Sequence, residues 1–324
     1  MRKTGSNFQY GLVFVLTLVF LKNGQAQQAE FPRDTTYSIQ SNYLKLRKYY
    51  PFVQPIAPDL PKKVQAQTDV VYKKVGKREL HLDLFYPAKK KKKKYPGVLL
   101  IHGGGWSSGT KAHQVPMAQQ LAAKGYVAAA VEYRLSPEAQ YPAGVYDLKE
   151  AVRWMRAHAD EYGLDIEKIA ALGCSAGAQL ASLLGTTNGL EQFEESTAFP
   201  TQSSAVQAVI NIDGIVSFIH PEADAEGKAA GKWLGGSRTE AYENWKAASP
   251  MEYVNAATPP FLFVNSTQPR FHAGRDDMMS MLSSLGIYSE VHTIPDTPHS
   301  FWLVHPWFKP TLKYTLTFLK KVFK

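Results

Sequence analysis

From Asp69 onward the chain alternates between two hydrophobic rhythms. Val70 to Val75 and Leu80 to Tyr86 alternate apolar with polar residues around Gly76-Lys77, as two antiparallel strands joined by a tight turn would. Gly97 to Ile101 is a continuous apolar run, the signature of a strand buried on both faces. Helical spacing over Val115 to Lys124 follows and stops at Gly125, then a strand over Tyr126 to Val131 and a helix over Gly144 to Glu161. Ile169 to Leu172 reads as a strand running straight into a helix over Ala176 to Leu184. Strands over Val206 to Ile212, Phe261 to Val264 and Tyr288 to Ile294, a helix ending before Gly286 and a helix over Pro310 to Phe323 complete the series.

This alternation predicts an α/β fold with a mostly parallel central sheet and helices on both faces. Right-handed crossovers then gather the carboxyl ends of the strands on one rim. The segments with chemical promise all fall just after a strand, on that rim.

Upstream the rhythm is different. Arg2 and Lys3 precede an eleven-residue apolar run, Gly11 to Leu21, and Gly24-Gln25-Ala26 supplies small residues at a cleavage point. Residues 1–26 therefore read as a secretory signal peptide, too short to span a bilayer comfortably. Export to the periplasm or beyond is expected, with no stable membrane insertion after cleavage. Residues 27–68 are polar, aromatic and proline-rich, and read as an N-terminal extension packed on a catalytic domain over 69–324.

Composition narrows the picture. A chain of 324 residues, 44% hydrophobic and 20% charged, can bury one large core. With Cys174 as the single cysteine, an intramolecular disulfide is excluded. The formal charge is +9, and removing Arg2, Lys3 and Lys22 with the signal leaves +6. The excess sits in Lys89 to Lys94, between two strands, where a solvated hairpin loop is the plain reading and attraction to an acidic polymer the sharper one. No nucleic-acid motif accompanies the run, so nucleic acid is not an expected partner.

Gly173-Cys174-Ser175-Ala176-Gly177 fits G-x-S-x-G, a sharp strand-to-helix turn that exposes a serine hydroxyl and admits only glycine two positions either side. Gly105-Trp106-Ser107-Ser108-Gly109 fits the same pattern, but it leads into loop, whereas Ser175 lies between a strand and a small-residue helix. Ser175 is the expected nucleophile. His102-Gly103-Gly104-Gly105-Trp106 follows the strand ending at Ile101 and offers backbone N–H groups free of Cβ atoms. Gly104 or Gly105, with Ala176, would form an oxyanion hole, and His102 would brace the loop.

His299, in the loop after strand 288–294, is the expected general base. His292 and His81 lie inside strands, and His220, His272 and His305 are weaker loop candidates. The acid is less plain. The loop after the penultimate strand, Asn265 to His272, contains no carboxylate. Asp213, at the end of strand 206–212, is preferred on rim position and chain order; Asp276 and Asp277 are alternatives, with Asp296 behind them. The histidines show no H-E-x-x-H spacing, so neither metal nor cofactor is expected.

The set His102 to Trp106, Val131 to Pro137, Gly173 to Gly177 and His299 resembles the hormone-sensitive-lipase-like and feruloyl-esterase-like α/β hydrolases, over about residues 69 to 324. The segments Pro259 to Asp277 and Pro298 to Trp302 are similar to those of exported carbohydrate esterases of gut Bacteroidetes, some of which demethylate pectin. The resemblance implies a serine carboxylic ester hydrolase acting on a plant-wall polysaccharide ester. Methyl-esterified pectin is the first expectation, acetylated xylan or pectin the second, feruloyl esters the third. Arg270 and Arg275 suit an acidic polymer, because arginine binds carboxylates bidentately. Trp106, Trp302 and Trp307 offer flat faces for sugar rings. The rival from another class is a hydrolase fold without catalysis that binds glycans; the missing acid in the 265–272 loop favours it, and the Ser175–His299 pairing disfavours it.

Overall fold

The computed structural model describes residues 1, 34, 36–88, 94–195 and 198–324, without the side chains of residues 225 and 226, and Pro32–Lys324 clusters as one compact unit. Residues 2–26 of the expected signal peptide (1–26) and residues 89–93 of the lysine run lie outside the described residues. In chain order the first elements are α1 (Ile39–Leu46), β1 (Gln54–Pro55), β2 (Val64–Val75), β3 (Arg78–Pro87), β4 (Tyr95–Ile101), α2 (Val115–Ala123) and β5 (Val127–Val131). Then come α3 (Ala143–Ala157), α4 (Ala159–Tyr162), β6 (Leu164–Cys174), α5 (Ala176–Thr186), β7 (Ala208–Ile212), α6 (Gly227–Leu234) and α7 (Tyr242–Ala247). The last are β8 (Phe261–Asn265), α8 (Arg275–Ser284), β9 (Ser289–Thr293), β10 (Val304–His305) and α9 (Phe308–Val322).

Eight strands form one sheet in the order β2-β3-β5-β4-β6-β7-β8-β9. β2, β3 and β5 pair antiparallel, and every pairing from β5 across to β9 is parallel. This is the mostly parallel α/β architecture that the alternating rhythms predict. Successive side chains leave a strand on opposite faces, so each continuous apolar strand feeds two cores. Leu99, Ile101, Val209, Phe261 and Phe263 join Leu148, Val152, Leu180 and Leu183 in one. Val98, Leu100, Ile210, Ile212 and Leu262 join Met117, Leu121, Phe318 and Leu319 in the other. Each fully buried side chain of this size contributes about 1.5–3 kcal/mol. The rim carrying the site therefore stands on a sheet held from both sides.

Three boundaries differ from expectation. β2 begins at Val64, inside the stretch read as extension, and that stretch also supplies α1 and β1, the latter paired with β10. The helix expected to reach Glu161 breaks at His158, whose φ of −103° and ψ of 16° leave the helical region. Its ring stacks on Trp154 at 4.2 Å, and its Nδ1 and backbone N–H both reach the Trp154 carbonyl. α6 and α7 are not predicted by the pattern: α6 has Gly231 inside its eight residues, and α7 has only six. Among the described residues, no helix is long and apolar enough to cross a membrane.

Candidate active site

Ser175 stands between β6 and α5 with φ +55° and ψ −123°, a conformation that costs an L-residue about 1–3 kcal/mol. Its N–H donates to the Ile212 carbonyl at 2.9 Å, and its own carbonyl accepts from the N–H groups of Ala178 and Gln179. The flanking glycines are there for space. A Cβ on Gly173 would lie 1.9 Å from the Gly177 oxygen, and one on Gly177 would lie 2.3 Å from the Ile101 oxygen. Cys174, the neighbouring thiol, is buried and pushed up to about 12, which removes it as a rival nucleophile at neutral pH.

The structure brings the three widely separated residues together. His299 Nε2 lies 2.9 Å from Ser175 Oγ, and its Nδ1 lies 2.8 Å from Asp213 Oδ2. Asp213 is buried at the end of β7. An ionised carboxylate can only accept, so Nδ1 carries the proton and donates, leaving the Nε2 lone pair to accept from the serine hydroxyl. Asp213 also accepts from the Ser266 N–H at 2.9 Å and from the Ser266 hydroxyl, 2.9 Å from Oδ2 and 3.0 Å from Oδ1. Phe271 stacks on the His299 ring with centroids 3.5 Å apart, and Trp302 meets it edge-on at 5.1 Å. Neither Ser266 nor Phe271 was singled out in the sequence; both lie in the 265–272 loop, read there only for its lack of a carboxylate.

The glycine loop after β4 folds against this turn. The Gly104 carbonyl accepts from the N–H groups of Ser107 and Ser108 and from the Ser108 hydroxyl at 2.9 Å. The N–H groups of Gly104 and Gly105 have no backbone acceptor among the described residues. With the Ala176 N–H at the start of α5, they are the donors suited to an oxyanion. Gly104 and Gly105 have φ of +130° and +58°, and a Cβ on Gly104 would collide with the Ser108 oxygen at 2.1 Å. His102 braces the loop as expected, stacked on Tyr133 at 4.7 Å with Nδ1 2.8 Å from the Gly103 oxygen.

Other expected residues lie elsewhere. The side chains of Asp276 and Asp277 are 78% and 69% exposed; Asp276 pairs with Arg275 and Asp277 approaches His220 at 3.3 Å, so neither reaches His299. Arg275 is also turned inward, its Nη1 3.0 Å from Asn265 Oδ1, which makes it a brace for the loop rather than a cleft residue. Trp106 and Trp302 are each 3% exposed and offer no open face. Trp106 stacks on Trp233 at 5.3 Å and donates from Nε1 to Gln179 Oε1 at 2.9 Å. Trp307 is likewise buried, edge-on to Tyr50 and Phe52. Arg270 does line the cleft, with its guanidinium 4.4 Å from the Phe271 ring centre.

Two spaces meet at Ser175. A cleft of about 630 Å³ opens over Ser175 and His299, walled by Gly104, Gly105, Arg270, Phe271 and residues of α1. Behind the hydroxyl, a cavity of about 10 Å³ lies between Trp106, Ala176, Ile215 and Phe271, enough for one water- or methyl-sized group. Among the described residues, no cluster of His, Cys, Asp and Glu is arranged to hold a metal ion.

Comparison with known proteins agrees with this geometry. Residues 82–273 match the BD-FAE family model. The chain is 29% identical to the probable carboxylic ester hydrolase LipM of Mycobacterium tuberculosis, over 71% of this chain and 52% of LipM. It is 30% identical to esterase LipC of the same organism, over 53% of this chain and 44% of LipC. This chain thus spans about half the length of these mycobacterial relatives. Among solved structures, esterase 2 of Thermogutta terrifontis superposes with a TM-score of 0.67 at 27% identity, covering 82% of this chain and 96% of that one. A bifunctional GH43-CE protein of Bacteroides eggerthii gives a TM-score of 0.67 at 26% identity, covering 79% of this chain and 38% of that one.

Proposed function

The chain belongs to the BD-FAE family of α/β hydrolases, and on that premise we propose that it is a carboxylic ester hydrolase working through an acyl-enzyme on Ser175. His299 Nε2 takes the serine proton as Oγ attacks the ester carbonyl. The N–H groups of Gly104, Gly105 and Ala176 receive the oxyanion, while Asp213 holds the imidazole and offsets its charge. The protonated imidazole then gives its proton to the departing alkoxide. Water, activated by the same nitrogen, attacks the acyl carbon, and collapse of the second tetrahedral intermediate frees the acid and Ser175. The observation that carries this reading is the unbroken chain Ser175 Oγ–His299–Asp213 at 2.9 and 2.8 Å.

The substrate is proposed to be a plant cell-wall polysaccharide ester, with methyl-esterified pectin first. The unequal spaces at Ser175 support a small group on one side of the ester and a polymer on the other. A methyl ester of a polyuronate satisfies this, and so does an acetylated sugar. A feruloyl ester is bulky on both sides and fits the small cavity badly. Export is proposed from residues 1–26; a mature N-terminus at Gln27 after expression with the native leader is the expected result, and a retained Met1 would remove it.

Methylated pectin and acetylated xylan should be incubated separately with wild type and with Ser175→Ala, measuring methanol and acetate. Methanol from pectin, lost in the variant, is expected. Acetate alone from either polymer would replace the methyl ester with the acetyl ester. p-Nitrophenyl acetate hydrolysis at equal rates by wild type and Ser175→Ala would remove the ester-hydrolase reading at this site.

A further inference from the structure

One wall of the cleft comes from a segment that the reaction scheme does not use. Tyr37, Ser41, Asn42, Lys45 and Leu46 line the cleft that holds Ser175 and His299. The segment is fastened to the catalytic loop, for Tyr37 Oη lies 3.1 Å from Ser300 Oγ, next to His299. Its ring also meets His113 edge-on at 4.8 Å. A reciprocal pair of hydrogen bonds between Ser38 and Ser41 caps the start of α1, so the helix is set firmly at this place.

Helix geometry puts Ser41, Asn42 and Lys45 on one face. Leu46 is the one apolar residue that α1 adds to the cleft lining, while Ile39 and Tyr43 pack on the second core. Asn42 is only 7% exposed, and its Nδ2 has no hydrogen-bond partner. A buried donor without a partner is unfavourable, and rotation of the side chain toward the cleft it lines would bring the amide to a ligand oxygen. Lys45 is exposed at the cleft mouth and has no ion-pair partner among the described residues. Among the described residues, no aspartate or glutamate lines the cleft. Lys45 therefore offers a counter-charge for an anion at its mouth.

We propose that Ser41, Asn42 and Lys45 of α1 form a substrate subsite for a carboxylate-bearing sugar next to the scissile ester. Lys45 pairs with the carboxylate, the Asn42 amide meets a sugar oxygen, and the Ser41 oxygen, whose proton goes to the Ser38 carbonyl, accepts from a sugar hydroxyl. The inference rests on the polysaccharide-ester reading and adds what the polymer must carry: free uronate units beside the esterified one. A neutral acetylated chain offers Lys45 nothing to pair with.

The test uses trigalacturonate as a competitive inhibitor of p-nitrophenyl acetate hydrolysis, at low salt, with neutral xylotriose as control. Wild type should be inhibited by trigalacturonate and at least about tenfold less by xylotriose, a ratio equivalent to about 1.4 kcal/mol. Lys45→Glu should raise the trigalacturonate Ki about tenfold or more, and Lys45→Arg should stay within about threefold of wild type. Lys45 is exposed, so neither change threatens folding. An unchanged Ki in Lys45→Glu, or equal inhibition of wild type by the two sugars, would overturn the subsite. Methanol release from pectin is a separate readout. Without methanol but with the Lys45-dependent Ki, the subsite stands and the methyl-ester reading fails; methanol with a Ki indifferent to Lys45 gives the reverse.

Discussion

Ser266 holds the carboxylate of Asp213 by two groups at once, its backbone N–H at 2.9 Å and its hydroxyl at 2.9 and 3.0 Å. The serine is the first residue after β8, in the loop whose sequence holds no carboxylate. The acid has instead come from the neighbouring strand β7, and the vacated loop supplies its clasp. Asp213→Asn should keep the fold and lower kcat by about 10⁴, because an amide at this place accepts poorly from Nδ1 and upsets the tautomer. Asp276→Asn should change kcat less than about twofold, its side chain being 78% exposed and paired with Arg275. Steady-state kinetics on p-nitrophenyl acetate compare the two; a larger loss in Asp276→Asn would mean the carboxylate has been misassigned.

Ser266→Ala removes the hydroxyl donor but leaves the backbone one. Each hydrogen bond to a buried charge is worth about 1.5–3 kcal/mol, so a fall in kcat of about 10- to 100-fold is expected. Most of it should be restored in Ser266→Thr. Wild-type kcat in the alanine variant would show that the hydroxyl does nothing for the triad.

The sequence carried the sheet and the nucleophile plainly because both are local. Strand and helix rhythms need only a dozen neighbouring residues, and G-x-S-x-G needs five. Asp213 was legible only as the better of several choices, since its partner lies 86 positions away. Ser266 and Phe271 were invisible for another reason: a serine and a phenylalanine in a loop have no pattern until the imidazole is placed beside them. The tryptophans misled in the opposite sense. Trp106 and Trp302 flank catalytic motifs, yet the same closeness buries them under the loops they support. α1 was hidden by length, for eight residues give too few turns to display a stripe.

Gly105 tests the oxyanion loop more cleanly than Gly104. The nearest atom to a Cβ there would be that of Ala229 at 3.7 Å, so space exists and the cost is the φ of +58° alone. That conformation costs an L-residue about 1–2 kcal/mol. Gly105→Ala should lower kcat about 10- to 100-fold with little change in KM, as expected for donors that act mainly on the transition state. A raised KM at constant kcat would move the donor from transition state to ground-state binding.

Acid should weaken the fold through His113. Burial holds this imidazole down at about 4, opposed only by a backbone hydrogen bond at Tyr37. The unfolded chain, with a histidine value near 6.5, binds the proton first. Stability is therefore full above about pH 6.5 and is lost as pH falls toward 4, by on the order of 3 kcal/mol. Thermal melts from pH 7 to 4.5 should show a shallower decline of Tm in His113→Phe than in wild type. Parallel curves would assign the acid sensitivity to other groups.

Trp302 decides between a sugar platform and a support for the base. As a platform it would bind polymer through an open face, and its loss would raise KM for polysaccharide while leaving the melting temperature alone. The indole is instead 3% exposed, wedged between Phe301 and the edge of His299. Removing so large a buried ring costs about 3–5 kcal/mol. Trp302→Ala should therefore lower Tm sharply and lower kcat on p-nitrophenyl acetate as well, since the imidazole loses its backing. Trp302→Phe, which keeps an aromatic edge, should recover most of both. A variant with wild-type Tm and wild-type kcat on the small ester, but a raised KM on pectin, would return the tryptophan to the substrate side of the site.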